Sequence, residues 1–494
     1  MSEPDHQSLF QLPELAGLCP VLQATESKDW SAQESVRRWK RVHYCLKQIG
    51  QALVARITSQ PIYELKLLFS HHAYLLSEQV TTIRTRVSEM REPPLGLDKV
   101  PHPGMQRLME DLAGMNDLSA FLHACYQCVL PEALVACQGI QSAAHPVADA
   151  PSVRAAKLIA FELQELIQTG QAACQAIDQA IKLQAGETSP DIICQNVNLP
   201  SWLAHLQQCL QSAGGLDGTN RLDDQPATVP DAYPNDLPFT YSGLPKRDSR
   251  FRDSYNAGVN AEAFLYDQRF SPQDKTLMMY YKRIREIDVP ETMASILVEL
   301  RDQKPWEFHR EMMRQLWDEA RHAMMGQIGF ASLGIDWTQI PINFTWSLNL
   351  NTQLDAAQRH GVLFFIEQGL MTRKGKRYEW EVSLESQDAL AALFQDFDWA
   401  DEVLHAQIGR RWYVPQFASL QEALCFGDQA WSTVMSHWLE YQQQQLTSHR
   451  NWWPDLYRLA CQKWNKQPDP AALAFDTSYQ ASRADLKGIG PPAE

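Results

Sequence analysis

The chain has no uninterrupted run of about 18 apolar residues, the length a helix needs to cross a bilayer, and no charged-then-apolar leader. Those absences point away from a membrane span and a secretory signal, so the expected location is the cytoplasm. Basic charge is short: 44 Lys and Arg stand against 59 Asp and Glu, a formal net charge of -15. An acidic surface disfavours nucleic acid and anionic lipid as partners. Paired cysteines are missing too. Ten cysteines are scattered, and the one C-x-x-C, Cys125 with Cys128, lies in an apolar helical run with no second pair at zinc spacing. They read as buried free thiols.

What is present is an ordinary globular composition, 45% hydrophobic and 21% charged over 494 residues, enough for two or three domains. The patterning is helical almost throughout, so the expected fold class is all-α. Residues 1–30, with Pro13, Gly17 and Pro20, read as an irregular arm. Ser31-Ala32-Gln33-Glu34 is a capping box opening a first helix to about Thr58. Further helices are expected over Ile62–Glu89, closed by Pro93-Pro94, then Gln106–Met115, Asp117–Gln138 and Ser152–Leu183. Residues 31–183 thus have the size of one up-down bundle. Its His71, His72, Glu78, His123, Glu132, Glu162 and Glu165 form no E-x-x-H pair, and no metal site is expected there.

Residues 184–268 are rich in Pro, Gly, Asn and Asp and too long for a usual loop. They are expected to cover a bundle surface or shape a substrate entrance, with a helix at Trp202–Gln211. A second bundle is expected over 269–412. Ser271-Pro272 caps a helix reaching about Leu300, kinked at Pro290. Pro305 opens the next, through Gly326. Asp336–Leu348 reads as a covering loop, Gln353–Leu370 as the third helix, Thr372–Arg377 as a solvated basic turn, Tyr378–Val382 as a brief strand and Ser386–Gly409 as the fourth helix. Residues 413–494 hold helices at Ser419–Gln445 and Trp452–Asn465 and a tail, their tryptophans packing on the bundle.

The chemistry concentrates in two segments of that second bundle. Asp318-Glu319-Ala320-Arg321-His322-Ala323 and Asp401-Glu402-Val403-Leu404-His405-Ala406 both read D-E-x-x-H-A, and both are followed by x-x-G, ending at Gly326 and Gly409. Glu and His three apart share one helix face. Two such helices, with one Glu from each of two others, make a carboxylate-bridged two-metal site in a four-helix bundle. Glu291, 28 residues before Glu319, and Glu367, 35 before Glu402, are the candidates for the other two. Glu299 is the rival of Glu291 but lies too near the turn. Four glutamates and two histidines around two divalent ions carry no net charge. Buried without cations, the carboxylates would have to take up protons.

Asp318 and Asp401 sit four residues before His322 and His405, where a carboxylate can orient an imidazole, most readily one on a partner helix. Arg321 would balance those acids. His360, seven residues before Glu367, is open to three readings: a seventh ligand, a proton shuttle or a buried hydrogen-bonded histidine. Ile296, Met312, Leu316, Ala323, Phe364, Phe365, Leu370 and Leu404 would make the surroundings apolar.

Asp318–His322 resembles the D-E-x-R-H pattern of the ferritin-like di-iron carboxylate superfamily, as in bacterial multicomponent monooxygenase hydroxylases and ribonucleotide reductase small subunits. The second copy departs from it, with Leu404 in place of Arg. The resemblance spans roughly residues 270–412. It implies a ferritin-like four-helix bundle, and it makes the first bundle readable as a degenerate copy. It implies Glu291, Glu319, His322, Glu367, Glu402 and His405 as ligands to two iron ions, with manganese as the alternative. It implies oxidation of a small organic substrate by dioxygen, fed by a reductase or ferredoxin-like donor, with homo-oligomerisation left open. The alternatives are a ferroxidase, peroxidase or radical-generating protein, or a helical scaffold with structural metal or none.

Overall fold

The computed structural model describes residues 12–26, 30–90, 96–183, 191–193, 197–220, 228–256, 258–371, 375–436, 440–448 and 450–477. All regular structure among them is helical, with no strand. The expected brief strand at Tyr378–Val382 is instead part of a helix, and the expected features at Pro93-Pro94, Thr372–Lys374 and Trp438 lie outside the described residues.

The chain divides into two units, one of Met1–Gly50 and Leu75–Thr240, the other of Gln51–Tyr74 and Tyr241–Glu494. The division differs from the expected one. It runs through α1 (Ala32–Val54) and α2 (Tyr63–Ser88), and residues 184–240 belong with the first unit. That unit contains α3 (Pro103–Gly114), α4 (Leu118–Ala143), α5 (Ala150–Leu183) and α6 (Leu199–Ser212). Helix α4 is long and apolar enough to cross a membrane by length and composition, but 72% of its most apolar window is buried, as expected for a core helix. It carries a π-helical segment at Ala124–Val129, and its Cys125, Cys128 and Cys137 are buried free thiols.

The second unit repeats one arrangement twice: a medium helix, a short one, then a long one. The first set is α7 (Pro272–Arg285), α8 (Asp288–Glu299) and α9 (Trp306–Ser332). After α10 (Thr345–Gln353), the second set is α11 (Ala356–Leu370), α12 (Lys376–Glu385) and α13 (Ala389–Trp412). Helices α14 (Leu420–Ser436) and α15 (Trp453–Lys463) follow. The starts are set by local chemistry. Ser271 accepts from the Asp274 amide at 3.2 Å with Pro272 at the first helical position, Asp355 and Gln358 form a capping box, and Asp388 accepts from the Leu390 and Ala391 amides. The expected 271–300 helix is two helices. The break falls at Glu286-Ile287 rather than at Pro290, because Pro290 is the third residue of α8, where no intrahelical amide is needed.

The repeated glycines explain how the long helices approach their neighbours. A Cβ on Gly326 of α9 would fall on the backbone of α7, at the Ile284 amide and 2.6 Å from the Tyr280 carbonyl oxygen. A Cβ on Gly409 of α13 would strike the Phe364 ring of α11. Backbone cannot yield as a ring can. Gly326→Ala is therefore expected to destabilise the protein by roughly 1–3 kcal/mol or more, and Gly409→Ala by less; thermal denaturation of the two variants gives the order.

Candidate metal centre

The two long helices bring their repeated motifs face to face. Glu319, Glu367, Glu402 and His405 place one donor atom each within 4.8 Å of one another, and Glu286, His322, Asp398 and Glu402 form a second such group sharing Glu402. The donors come from the C-terminal end of α7 (Glu286), α9 (Glu319, His322), α11 (Glu367) and α13 (Asp398, Glu402, His405). His405 Nδ1 lies 3.1 Å from Glu319 Oε1, 3.4 Å from Glu402 Oε2 and 3.8 Å from Glu367 Oε1. His322 Nδ1 lies 3.2 Å from Glu286 Oε2, and 3.5 Å from both Glu319 Oε2 and Asp398 Oδ1. Glu319 touches both imidazoles.

These contacts converge without pairing off. Glu286 Oε2, Glu319 Oε1, Glu367 Oε2, Glu402 Oε2 and both Nδ1 atoms are buried and have no partner in hydrogen-bonding geometry. Six such atoms in one place are costly unless something else satisfies them. Hard carboxylate oxygens with imidazole nitrogens are the donor set of iron or manganese, so the residues fit a metal pair.

The other nitrogen of each imidazole is held across the helix pair. His322 Nε2 of α9 lies 3.2 Å from Asp401 Oδ2 of α13, and His405 Nε2 of α13 lies 3.4 Å from Asp318 Oδ2 of α9. Each aspartate thus orients the ring on the opposite helix and leaves Nδ1 facing the carboxylates. Arg321 donates to Asp318 and, at 2.7 Å, to Asp401, and Arg314 holds Asp318 at 2.9 Å.

The electrostatics follow from burial. Glu286, Glu319, Glu367, Asp398, Glu402, Asp318 and Asp401 are seven carboxylates met by four fixed cations, Arg283, Arg314, Arg321 and Lys376. Three negative charges remain, and an interior cannot hold them alone. Protons fill the gap when no metal does. Burial, with Glu402 and Glu319 alongside, pushes the Glu367 carboxyl well above the usual carboxylate range. Burial opposes protonation of the histidines, but the carboxylates outweigh it, pushing His322 up to about 10 and His405 well above its ordinary value. Divalent cations, if held here, would take the place of those protons. Ile296, Met312, Leu316, Ala323, Phe364 and Phe365 are buried as expected, while Leu370 and Leu404 are only half-buried.

Glu291 is not part of this cluster. It sits in the first turn of α8, fully buried, held by Lys66 and Arg247 and accepting from Ser347 Oγ at 2.7 Å. Its place is taken by Glu286, five residues earlier, at the end of α7 and before the separate helix α8 begins at Asp288. The sequence did carry a signal: Glu286 is 33 residues before Glu319, close to the 35 between Glu367 and Glu402, whereas Glu291 is 28 before. His360 also lies elsewhere. It packs against Phe308 and Tyr413, belongs to neither group, and burial pushes it down to about 3. Asp398 was findable as the residue one turn before Glu402 on the same face. Lys376, expected in a solvated basic turn, is wholly buried and bonded to Asp398 and Glu402.

Among the described residues, one donor grouping occurs in the first unit, mostly outside the 31–183 stretch for which no metal site was expected: Asp111, His205 and Cys209. His205 Nε2 is 2.7 Å from Asp111 and 3.7 Å from Cys209 Sγ, and burial pushes the thiol up to about 12. The imidazole is already paired with the carboxylate and the thiol stays protonated, a hydrogen-bonded pair beside a neutral sulfur.

Compared with known proteins, the chain matches no family model, no curated protein and no solved structure.

Glu286 and Glu291 can be told apart directly. Glu286→Gln is expected to lower metal bound per chain. Glu291→Gln is expected to leave metal content unchanged while costing about 3–5 kcal/mol of stability through the buried cations it strands. Elemental analysis with denaturant titration of both variants measures each effect; metal loss in Glu291→Gln alone would reverse the assignment.

Proposed function

We propose that the chain is a non-haem dimetal oxidoreductase of the ferritin-like di-iron carboxylate kind, using dioxygen to oxidise a small organic substrate. The observation carrying this is the gathering of six buried, unpartnered donor atoms into two donor groups that share Glu402. Glu319, Glu367, Glu402 and His405 would hold one ion, and Glu286, His322, Asp398 and Glu402 the other, with Glu319 also in reach of both imidazoles. Iron is the favoured metal and manganese the alternative. Bound, the pair would supply the electrons and oxidising power that no protein side chain provides; a reductase or ferredoxin-like protein would renew them.

The chain's own residues perform the rest. Asp401 and Asp318 accept the Nε2 protons of His322 and His405 and so keep each Nδ1 lone pair toward the centre. Arg321 ties the two aspartates together, and with them the two long helices. Gln315 Nε2 donates to Glu367 Oε1 at 3.4 Å and restrains that carboxylate. Ala323, Leu316 and Phe364 exclude water from the oxidation.

A second reading is a helical scaffold whose acidic core is balanced by protons and side-chain cations. It is favoured by Lys376 and Arg283, which already neutralise part of the second group.

The experiment is aerobic against anaerobic spectroscopy on protein reconstituted with ferrous iron. The expected result is up to two irons per chain and a new visible or near-ultraviolet absorption when oxygen is admitted, both lost in Glu319→Ala and His405→Ala. Metal-free protein with unchanged spectra would leave only the scaffold reading, and metal bound without any response to oxygen would end the oxygen chemistry.

A further inference from the structure

The two motif-bearing segments are related by one sequence offset of 83 residues: Asp318 corresponds to Asp401, Glu319 to Glu402 and His322 to His405. Beyond Arg321 and Leu404, a further pair breaks the correspondence. A turn before Glu319 stands Gln315, an amide bonded to Glu367; a turn before Glu402 stands Asp398, a wholly buried carboxyl group. That extra carboxylate is held by Arg283, which also reaches Glu286 at 2.9 Å, and by Lys376.

Lys376 is placed there by the fold. It is the first residue of α12, and the preceding Gly375 lets the chain close so tightly on α11 that a Cβ would fall on the Leu370 carbonyl. Its Nζ lies 2.9 Å from both oxygens of Asp398 and 2.8 Å from Glu402 Oε1. Glu402 is thereby divided. Oε1 is taken by the ammonium, and Oε2 faces His405 in the first group. Among the described residues, Glu319 and Glu367 have no Lys or Arg at ion-pair distance. A cation approaching His322, Glu286 and Asp398 meets a like charge at its boundary, where the low-dielectric interior magnifies repulsion, and finds one oxygen of Glu402 engaged.

We propose that Lys376 acts as a tethered cation competing with the second metal, so that the two positions fill unequally. Glu319, Glu367, Glu402 and His405 hold one divalent cation tightly. The position at Glu286, His322 and Asp398 fills only when Lys376 gives up Glu402. This rests on the metal-centre reading above.

Manganese(II) is the probe, titrated into metal-free full-length protein with paramagnetic resonance and calorimetry. Wild type is expected to bind one ion with the spectrum of an isolated ion, and a second about tenfold or more weaker, with spin coupling only at excess. Lys376→Met and Lys376→Gln are expected to bring the two affinities together and produce the coupled spectrum at stoichiometric metal. A coupled spectrum in wild type below one equivalent overturns the inference without needing a variant. So do two equal sites in wild type that neither substitution alters; the metal reading survives both results. No manganese, iron or cobalt taken up by any of the three proteins overturns the metal reading and the inference with it.

Discussion

Seven carboxylates packed into the core of a helical unit are the constraint on which everything else in that unit depends. Charge of one sign cannot be buried in that amount without compensation. Every neighbouring feature reads as a form of it: Arg314 and Arg321 on the outer aspartates, Arg283 and Lys376 on Asp398, and two imidazoles facing the remaining oxygens. What those cations leave over is matched by protons or, as we propose, by divalent metal among the unpartnered inner atoms.

The unit is built as two related halves, α7–α9 and α11–α13, each ending in the motif-bearing helix. Cross-pairing of Asp318 with His405 and Asp401 with His322 makes each half complete the other's imidazole. The glycines four residues after the histidines have a separate task. They let α9 and α13 approach α7 and α11 closely enough for Glu286 and Glu367 to reach the same centre. Symmetry then ends at Gln315 and Asp398, and the difference between an amide and a carboxylate draws in two further cations on one side only.

Much of this was legible in the chain. Helical periodicity and Ser271-Pro272 announced helices at nearly their observed starts. Duplication of D-E-x-x-H-A identified Glu319, His322, Glu402 and His405, and the i−4 aspartates pointed to imidazole partners across a helix pair, because helix geometry fixes which side chains share a face. Sequence spacing favours Glu291 over Glu299 on a helix taken as running to about Leu300, and Glu286 comes into view only once that helix divides at Glu286-Ile287. Moving a boundary by a few residues rotates a different side chain inward. Lys376 was out of reach for another reason: a lysine beside arginines and a glycine looks solvated until a neighbouring helix is known to end above it.

The sequence by itself determined the all-helical class, the two motif-bearing helices and the acid-and-imidazole chemistry they bring, since those follow from local periodicity and side-chain identity. Only the tertiary structure decided which glutamate of the α7–α8 region faces inward, that His360 stands apart with Phe308 and Tyr413, and that Lys376 is buried against Asp398 and Glu402. Those depend on where separate helices end and how they are turned toward one another, which is set by packing between residues distant along the chain.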